Sequence, residues 1–151
     1  MKSKLSAISS IMLLLSIIFL TFRYEGKAQT IRQKDRWGKK VAFIEGKTLK
    51  AEDRWGEKLF YFDGETIRRT DKWGEKLFYI DGDLVRCKDR WGEKYLYFDG
   101  LTVKSKDRWG EKLYYLDGLQ LKKKDRWGES VYYFESIPEK WIIVCLIQLL
   151  E

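Results

Sequence analysis

Asp71-Lys72-Trp73-Gly74-Glu75-Lys76-Leu77-Phe78-Tyr79-Ile80-Asp81-Gly82 recurs six times in the chain with little change. Its tryptophans stand at Trp37, Trp55, Trp73, Trp91, Trp109 and Trp127, each 18 residues after the last. A fixed period of this length marks one supersecondary unit repeated along the chain, so the fold has to be read from the unit. Within it, Lys58-Leu59-Phe60-Tyr61-Phe62 is rich in residues that favour strands. Asp63-Gly64 follows, a dipeptide that predicts a two-residue type I′ hairpin turn. Glu65 to Thr70 makes a second short strand. Asp71-Lys72-Trp73-Gly74 then predicts a four-residue turn, capped by the aspartate side chain, with the glycine in the left-handed position. Of the 12 glycines only Gly26 lies outside these two turn positions. Residues 29–134 therefore read as twelve short antiparallel strands in one meander.

The two turns can be tested against each other. A two-residue loop at Asp63-Gly64 pairs Phe60 with Ile67 and Leu59 with Arg68. A four-residue loop at Asp71–Gly74 pairs Ile67 with Phe78 and Arg68 with Leu77. Both put Phe60, Phe62 and Ile67 on one face, and an even period keeps that assignment in every unit. That face is almost wholly apolar and predicts the core: Ala42, Phe78, Leu96, Tyr114 and Tyr132 at one level, Ile44, Ile80, Phe98, Leu116 and Phe134 at the next, and Ile31, Leu49, Val85, Val103 and Leu121 on the partner strands. The opposite face carries Phe43, Tyr61, Tyr79, Tyr97, Tyr115 and Tyr133 beside a cation in each unit: Arg32, Lys50, Arg68, Arg86, Lys104 and Lys122.

A meander of this length has two edges, which closure into a ring removes. About eight strands give an interior that side chains just fill, so twelve leave a hole that needs an occupant. Residues 137–151, with Trp141-Ile142-Ile143-Val144-Cys145-Leu146-Ile147, are apolar nearly all round, as a buried helix is. Ser136 is expected to cap it, with Pro138 and Glu139 in its first turn. The apolar run is too short to span a bilayer. The expected fold is all-β: six 18-residue hairpin repeats over residues 29–136, closed as a twelve-stranded antiparallel barrel or flower around the buried C-terminal helix. A tail dipping into a membrane is the alternative for that helix, and an open spiral the alternative to the ring.

Residues 1–28 read as a secretory signal: Lys2 and Lys4, an apolar run from Leu5 to Phe22, then Gly26 and Ala28 before a cleavage point at Gln29. An uncleaved N-terminal anchor is the alternative. The chain carries a net charge of +7, a pI near 9.3 and 16% aromatic residues. Such a surface suits anionic partners; export argues against nucleic acid. Cys87 and Cys145 read as two free thiols, too few for a metal site. With no histidine, and no cysteine or serine beside a base, catalysis and cofactor chemistry are not expected. The repeated Asp35, Asp53, Asp71, Asp89, Asp107 and Asp125 read as turn caps rather than paired catalytic carboxylates.

The succession Asp63-Gly64, Ile67-Arg68, Asp71, Gly74 and an aromatic strand to Asp81-Gly82 resembles the β-flower families, bacterial proteins whose hairpin petals repeat around a shallow barrel. The resemblance covers residues 29–134. Twelve strands around a hydrophobic helix are also similar in layout to the Tubby C-terminal domain, whose family binds phosphoinositides. Tyr132-Tyr133-Phe134 and Leu113-Tyr114-Tyr115-Leu116-Asp117-Gly118 resemble bacterial cell-wall-binding repeats, which hold choline or glycan between aromatic residues; here their Gly-Trp order is reversed to Trp-Gly. Trp-Gly repeat proteins are similar in a general way. The expectation is a non-enzymatic, exported binding protein of the bacterial cell envelope, taking anionic lipid headgroups. A glycan or cell-wall-binding module is the alternative, and a structural or oligomerising repeat protein the third. The six tryptophans, the six belt cations and Tyr61, Tyr79, Tyr97, Tyr115 and Tyr133 are the expected contact residues.

Overall fold

The computed structural model describes residues 28–151. The expected export signal over residues 1–28 lies outside them, apart from Ala28. The strands are β1 (Gln29–Gln33), β2 (Lys40–Glu45), β3 (Thr48–Ala51), β4 (Lys58–Phe62), β5 (Thr66–Arg69), β6 (Lys76–Asp81), β7 (Leu84–Cys87), β8 (Lys94–Asp99), β9 (Thr102–Ser105), β10 (Lys112–Asp117), β11 (Gln120–Lys123) and β12 (Ser130–Phe134). One helix, α1 (Lys140–Leu150), follows. Each strand pairs antiparallel with its sequence neighbours, and β1 pairs with β12, so the sheet is a closed barrel. This is a flower-like layout of repeated hairpins.

Closure makes the sixth petal from the two ends of the sheet. Phe134 faces Ile31 and Tyr133 faces Arg32, the same register as Phe62 with Ile67 and Tyr61 with Arg68 inside a hairpin. Lys34 N–H donates to the Val131 carbonyl at 2.9 Å, as Thr70 N–H does to Leu59. Among the described residues no edge strand is left for another chain to extend.

The predicted core face is the inner face. Ile31, Leu49, Ile67, Val85, Val103 and Leu121 are all sealed from solvent. Trp141 to Ile147 of α1 are each no more than 4% exposed, so the helix lies inside the barrel. Phe62 stacks on Trp141 with ring centroids 5.4 Å apart. The helix starts later than expected. Glu139 is its N-cap residue, so Ser136 and Pro138 lie ahead of it and do not cap it. Ser136 N–H instead donates to the Gln29 side-chain oxygen at 3.4 Å, which fastens the exit from β12 to β1.

Three turn details differ from expectation. In four hairpins the central pair is Gly-X, not Asp-Gly: Gly46, Gly82, Gly100 and Gly118 have φ near +60° while the next residue does not. That is the type II′ pattern, with glycine first. It moves the register by two residues, pairing Ile80 rather than Phe78 with Val85, and the Gly64 hairpin, though of another turn type, likewise pairs Phe62 rather than Phe60 with Ile67. A shift of two leaves every side chain on its face. In the tryptophan turns the left-handed residue is the one before the aspartate, Thr70 at φ 67° and its equivalents, not the glycine. Third, Arg68 pairs with Lys76 instead of Leu77, because a bulge interrupts the strand there, as in every unit. The bulge re-aims Leu77, and likewise Val41, Leu59, Tyr95, Leu113 and Val131, so that they pack against the core at one end of the barrel.

Candidate functional site

Two unlike rims result. One holds the tight hairpin turns and the N-terminal end of α1, where Lys140 reaches the Gly82 carbonyl and Asp83. The other holds the six tryptophan turns and the C-terminal end of α1.

Each tryptophan turn is fixed by its aspartate. Trp73 N–H donates to Asp71 Oδ1 at 2.9 Å, and Gly74 N–H to the Asp71 carbonyl at 3.0 Å. The other five turns repeat the bond from the tryptophan N–H at 2.8–2.9 Å. Held between these bonds, the tryptophan side chain points away from the wall. All six are 79–83% exposed. The preceding residue lies over each indole: Arg36, Arg54, Lys72, Arg90, Arg108 and Arg126 sit 4.7–5.1 Å from the ring centroids. An exposed pair of this kind contributes about 0.5–1 kcal/mol and holds both groups at one level.

The belt cations have hydrogen-bond partners within the chain. Arg32, Arg68 and Arg86 donate from Nη1 to the carbonyls of Gly38, Gly74 and Gly92 at 3.1–3.2 Å. Lys50, Lys104 and Lys122 donate to the carbonyls of Arg54, Arg108 and Arg126 at 3.1 Å. Four also pair with the hairpin acid of their own petal: Lys50 with Glu45, Arg68 with Asp63, Lys104 with Asp99, and Lys122 with Asp117. These cations brace the tryptophan turns from below. Tyr61, Tyr79, Tyr97, Tyr115 and Tyr133 stand directly across from them and are half-buried on the outer wall.

The site therefore brings together the tryptophans and the cations that precede them, while the belt cations support it. The stacked cations are functional candidates that were not among the contact residues expected from the sequence. Their signal was present: a cation stands directly before every repeated tryptophan. Leu149 and Leu150, 44% and 43% exposed at the end of α1, add apolar surface at the same rim.

Charge separates along the barrel axis. The hairpin rim carries Glu45, Asp63, Glu65, Asp81, Asp83, Asp99 and Asp117, with Glu135 and Glu139 beyond β12, against Lys47 and Lys140. The tryptophan rim is net basic: its turn aspartates, Glu52, Glu57, Glu75, Glu93, Glu111 and Glu129 are outnumbered by the stacked cations, by Lys34, Lys88, Lys106 and Lys124 in left-handed positions, and by the lysines that open the following strands. The positive N-terminal end of α1 has Glu139 and Asp83 beside it. On the outer flank, Trp109 and Tyr97 line a cleft of about 260 Å³ with Leu84, Lys94, Asp107 and Arg108. No family model, curated protein or solved structure matches this chain.

Proposed function

We propose that this chain is a non-enzymatic, exported binding protein of the bacterial cell envelope that sets its tryptophan rim on anionic lipid surfaces. The observation that carries the reading is the ring of six tryptophans, 79–83% exposed, on one basic rim, each with a cation over its face. Indole rings favour the headgroup level of a bilayer. Cations near an anionic surface contribute about 1 kcal/mol each. A bilayer phosphate meets the outer side of a guanidinium whose inner side rests on indole. The acidic opposite rim orients the barrel, since it is repelled by the same surface. The β-flower resemblance belongs with this reading.

The outer cleft favours a second reading. Trp109 and Tyr97 offer two aromatic faces beside Asp107, Arg108 and Lys94, a set that suits a sugar ring with polar substituents, as in a glycan-binding module of the cell wall. Tryptophan emission separates the two. Lipid docking gives a blue shift with anionic vesicles, absent with neutral ones and weakened by salt. Glycan binding gives a salt-tolerant response to soluble peptidoglycan fragments and none to vesicles. Silence towards all three ligands sinks both readings.

A further inference from the structure

At the tryptophan rim the inner wall ends in a ring of unlike residues: Gln33, Ala51, Arg69, Cys87, Ser105 and Lys123. No residue type recurs among these six positions, so the mouth of the barrel has no rotational symmetry. The end of α1 is fastened to one side of that mouth. Tyr95 on β8 donates from its hydroxyl to Glu151 Oε2 at 2.9 Å and lies 3.5 Å from Gln148 Oε1. Tyr132 on β12 donates to the Leu146 carbonyl at 3.4 Å. Tyr114 on β10, between them in the ring, is also half-buried.

The arc from β4 to β6 carries no tyrosine bonded to the helix; its Phe78 stacks on Tyr95. There Phe60, Leu77 and Phe78 face Gln148 and Leu149 across a crevice of about 260 Å³. Its floor is apolar. Its lip carries Arg69, the one arginine among the six mouth positions. Arg69 holds only a loose contact with Glu75, 3.6 Å, between two side chains each more than 60% exposed. Such a pair contributes little and gives way to a better-placed anion.

We infer that this crevice binds a single-chain fatty acid, its alkyl tail against Phe60, Leu77, Phe78 and Leu149 and its carboxylate on the Arg69 guanidinium. The crevice is at the small end of ligand sites, which admits one chain and not two. Its one charged group is the exposed Arg69, with the neutral Gln148 amide also in the lining, the arrangement an amphiphile with one charged end requires. A guanidinium matches a carboxylate with two parallel hydrogen bonds. Glu151 accepts from Tyr95, whose ring stacks on Phe78 of the crevice wall at 4.8 Å, and Arg69 is the one cation lining the crevice. This assignment goes beyond docking at the rim and does not depend on it, because the crevice can fill from solution.

The test uses the full 151-residue chain and laurate, titrated calorimetrically below its micelle concentration. The expected result is one saturable site. Arg69→Glu weakens it at least tenfold by removing the carboxylate partner, and Leu149→Trp weakens it at least tenfold by filling the crevice. Leu149 is on the exposed last turn of α1, so Leu149→Trp leaves the β-sheet circular dichroism spectrum unchanged. Octyl glucoside, an amphiphile without charge, gives no saturable heat. The proposal is overturned if laurate does not bind the unmodified chain, if either variant binds it with unchanged affinity, or if octyl glucoside binds equally well.

Discussion

A methyl group on Gly74 would lie 1.6 Å from the Arg69 carbonyl oxygen, and the equivalent glycines of the other five turns are as tightly placed. Glycine is needed there for a close approach of backbone to backbone, not for its φ. The left-handed residue is Thr70 and, elsewhere, Lys34, Glu52, Lys88, Lys106 and Lys124. Opposite substitution effects follow within one turn. Gly74→Ala cannot be accommodated without moving the chain and is expected to lower stability by more than about 2 kcal/mol in urea unfolding. Lys106→Gly relieves a left-handed side chain, a strain of about 1–2 kcal/mol, against the greater freedom glycine gives the unfolded chain. A net gain of up to about 1 kcal/mol is expected. Side-chain chemistry at this scale also explains Asp63. Burial pushes its carboxyl up, but hydrogen bonds from Thr66 N–H and Glu65 N–H, with the Arg68 side chain, outweigh that and hold it below its ordinary value.

The elements depend on α1 as much as on one another. Leu146 is fully sealed inside the barrel. Leu146→Ala is expected to cost about 2–5 kcal/mol in the same urea assay, the range for a buried leucine that leaves a cavity. The tyrosines around the helix end give a second check. Burial pushes the Tyr132 hydroxyl up to about 12, and raises Tyr95 and Tyr114 as well. A phenol harder to ionise folded than unfolded stabilises the fold fully below its ordinary value near 10, and that contribution is lost as pH rises through the folded value. Stability should therefore fall between about pH 10 and 12, and less steeply in Tyr132→Phe. The elements were largely legible in the sequence. Strict alternation over an even period assigned the inner residues from Ile31 to Phe134, except those that the bulges turn inward. The turn class was not legible, because Asp-Gly serves a type I′ turn as its central pair and a type II′ turn with glycine leading. The two differ by a shift of two, which leaves the hydrophobic pattern unchanged. The bulge at Leu77 was hidden for a related reason: a leucine beside an inward phenylalanine reads as outward until the backbone bends it in.

At the scale of the whole molecule the barrel is a dipole with a tryptophan crown on its positive end. The belt cations, expected as contacts, brace the turns, since an outward lysine or arginine has the same sequence signature whether it meets solvent or a carbonyl two turns of chain away. The ring of indoles was legible; its separation from an acidic rim needed the topology that gathers alternate turns at opposite ends. Reversal of the stacked cations in Arg90→Glu, Arg108→Glu and Arg126→Glu together is expected to weaken binding to anionic vesicles by about 1 kcal/mol for each charge removed, and more once repulsion is added. Glu65→Gln with Asp81→Asn, on the acidic rim, should leave it unchanged or slightly tighter. Vesicle co-sedimentation at low and high salt measures both.

The most direct measurement is tryptophan quenching by anionic vesicles whose acyl chains carry bromine. Of the seven tryptophans, six stand on the rim and Trp141 is enclosed in the barrel. The account predicts that nearly all emission is quenched, that the protected remainder disappears in Trp141→Phe, and that excess salt restores the signal. Emission that brominated anionic vesicles leave unquenched, or a protected fraction that survives in Trp141→Phe, would contradict it.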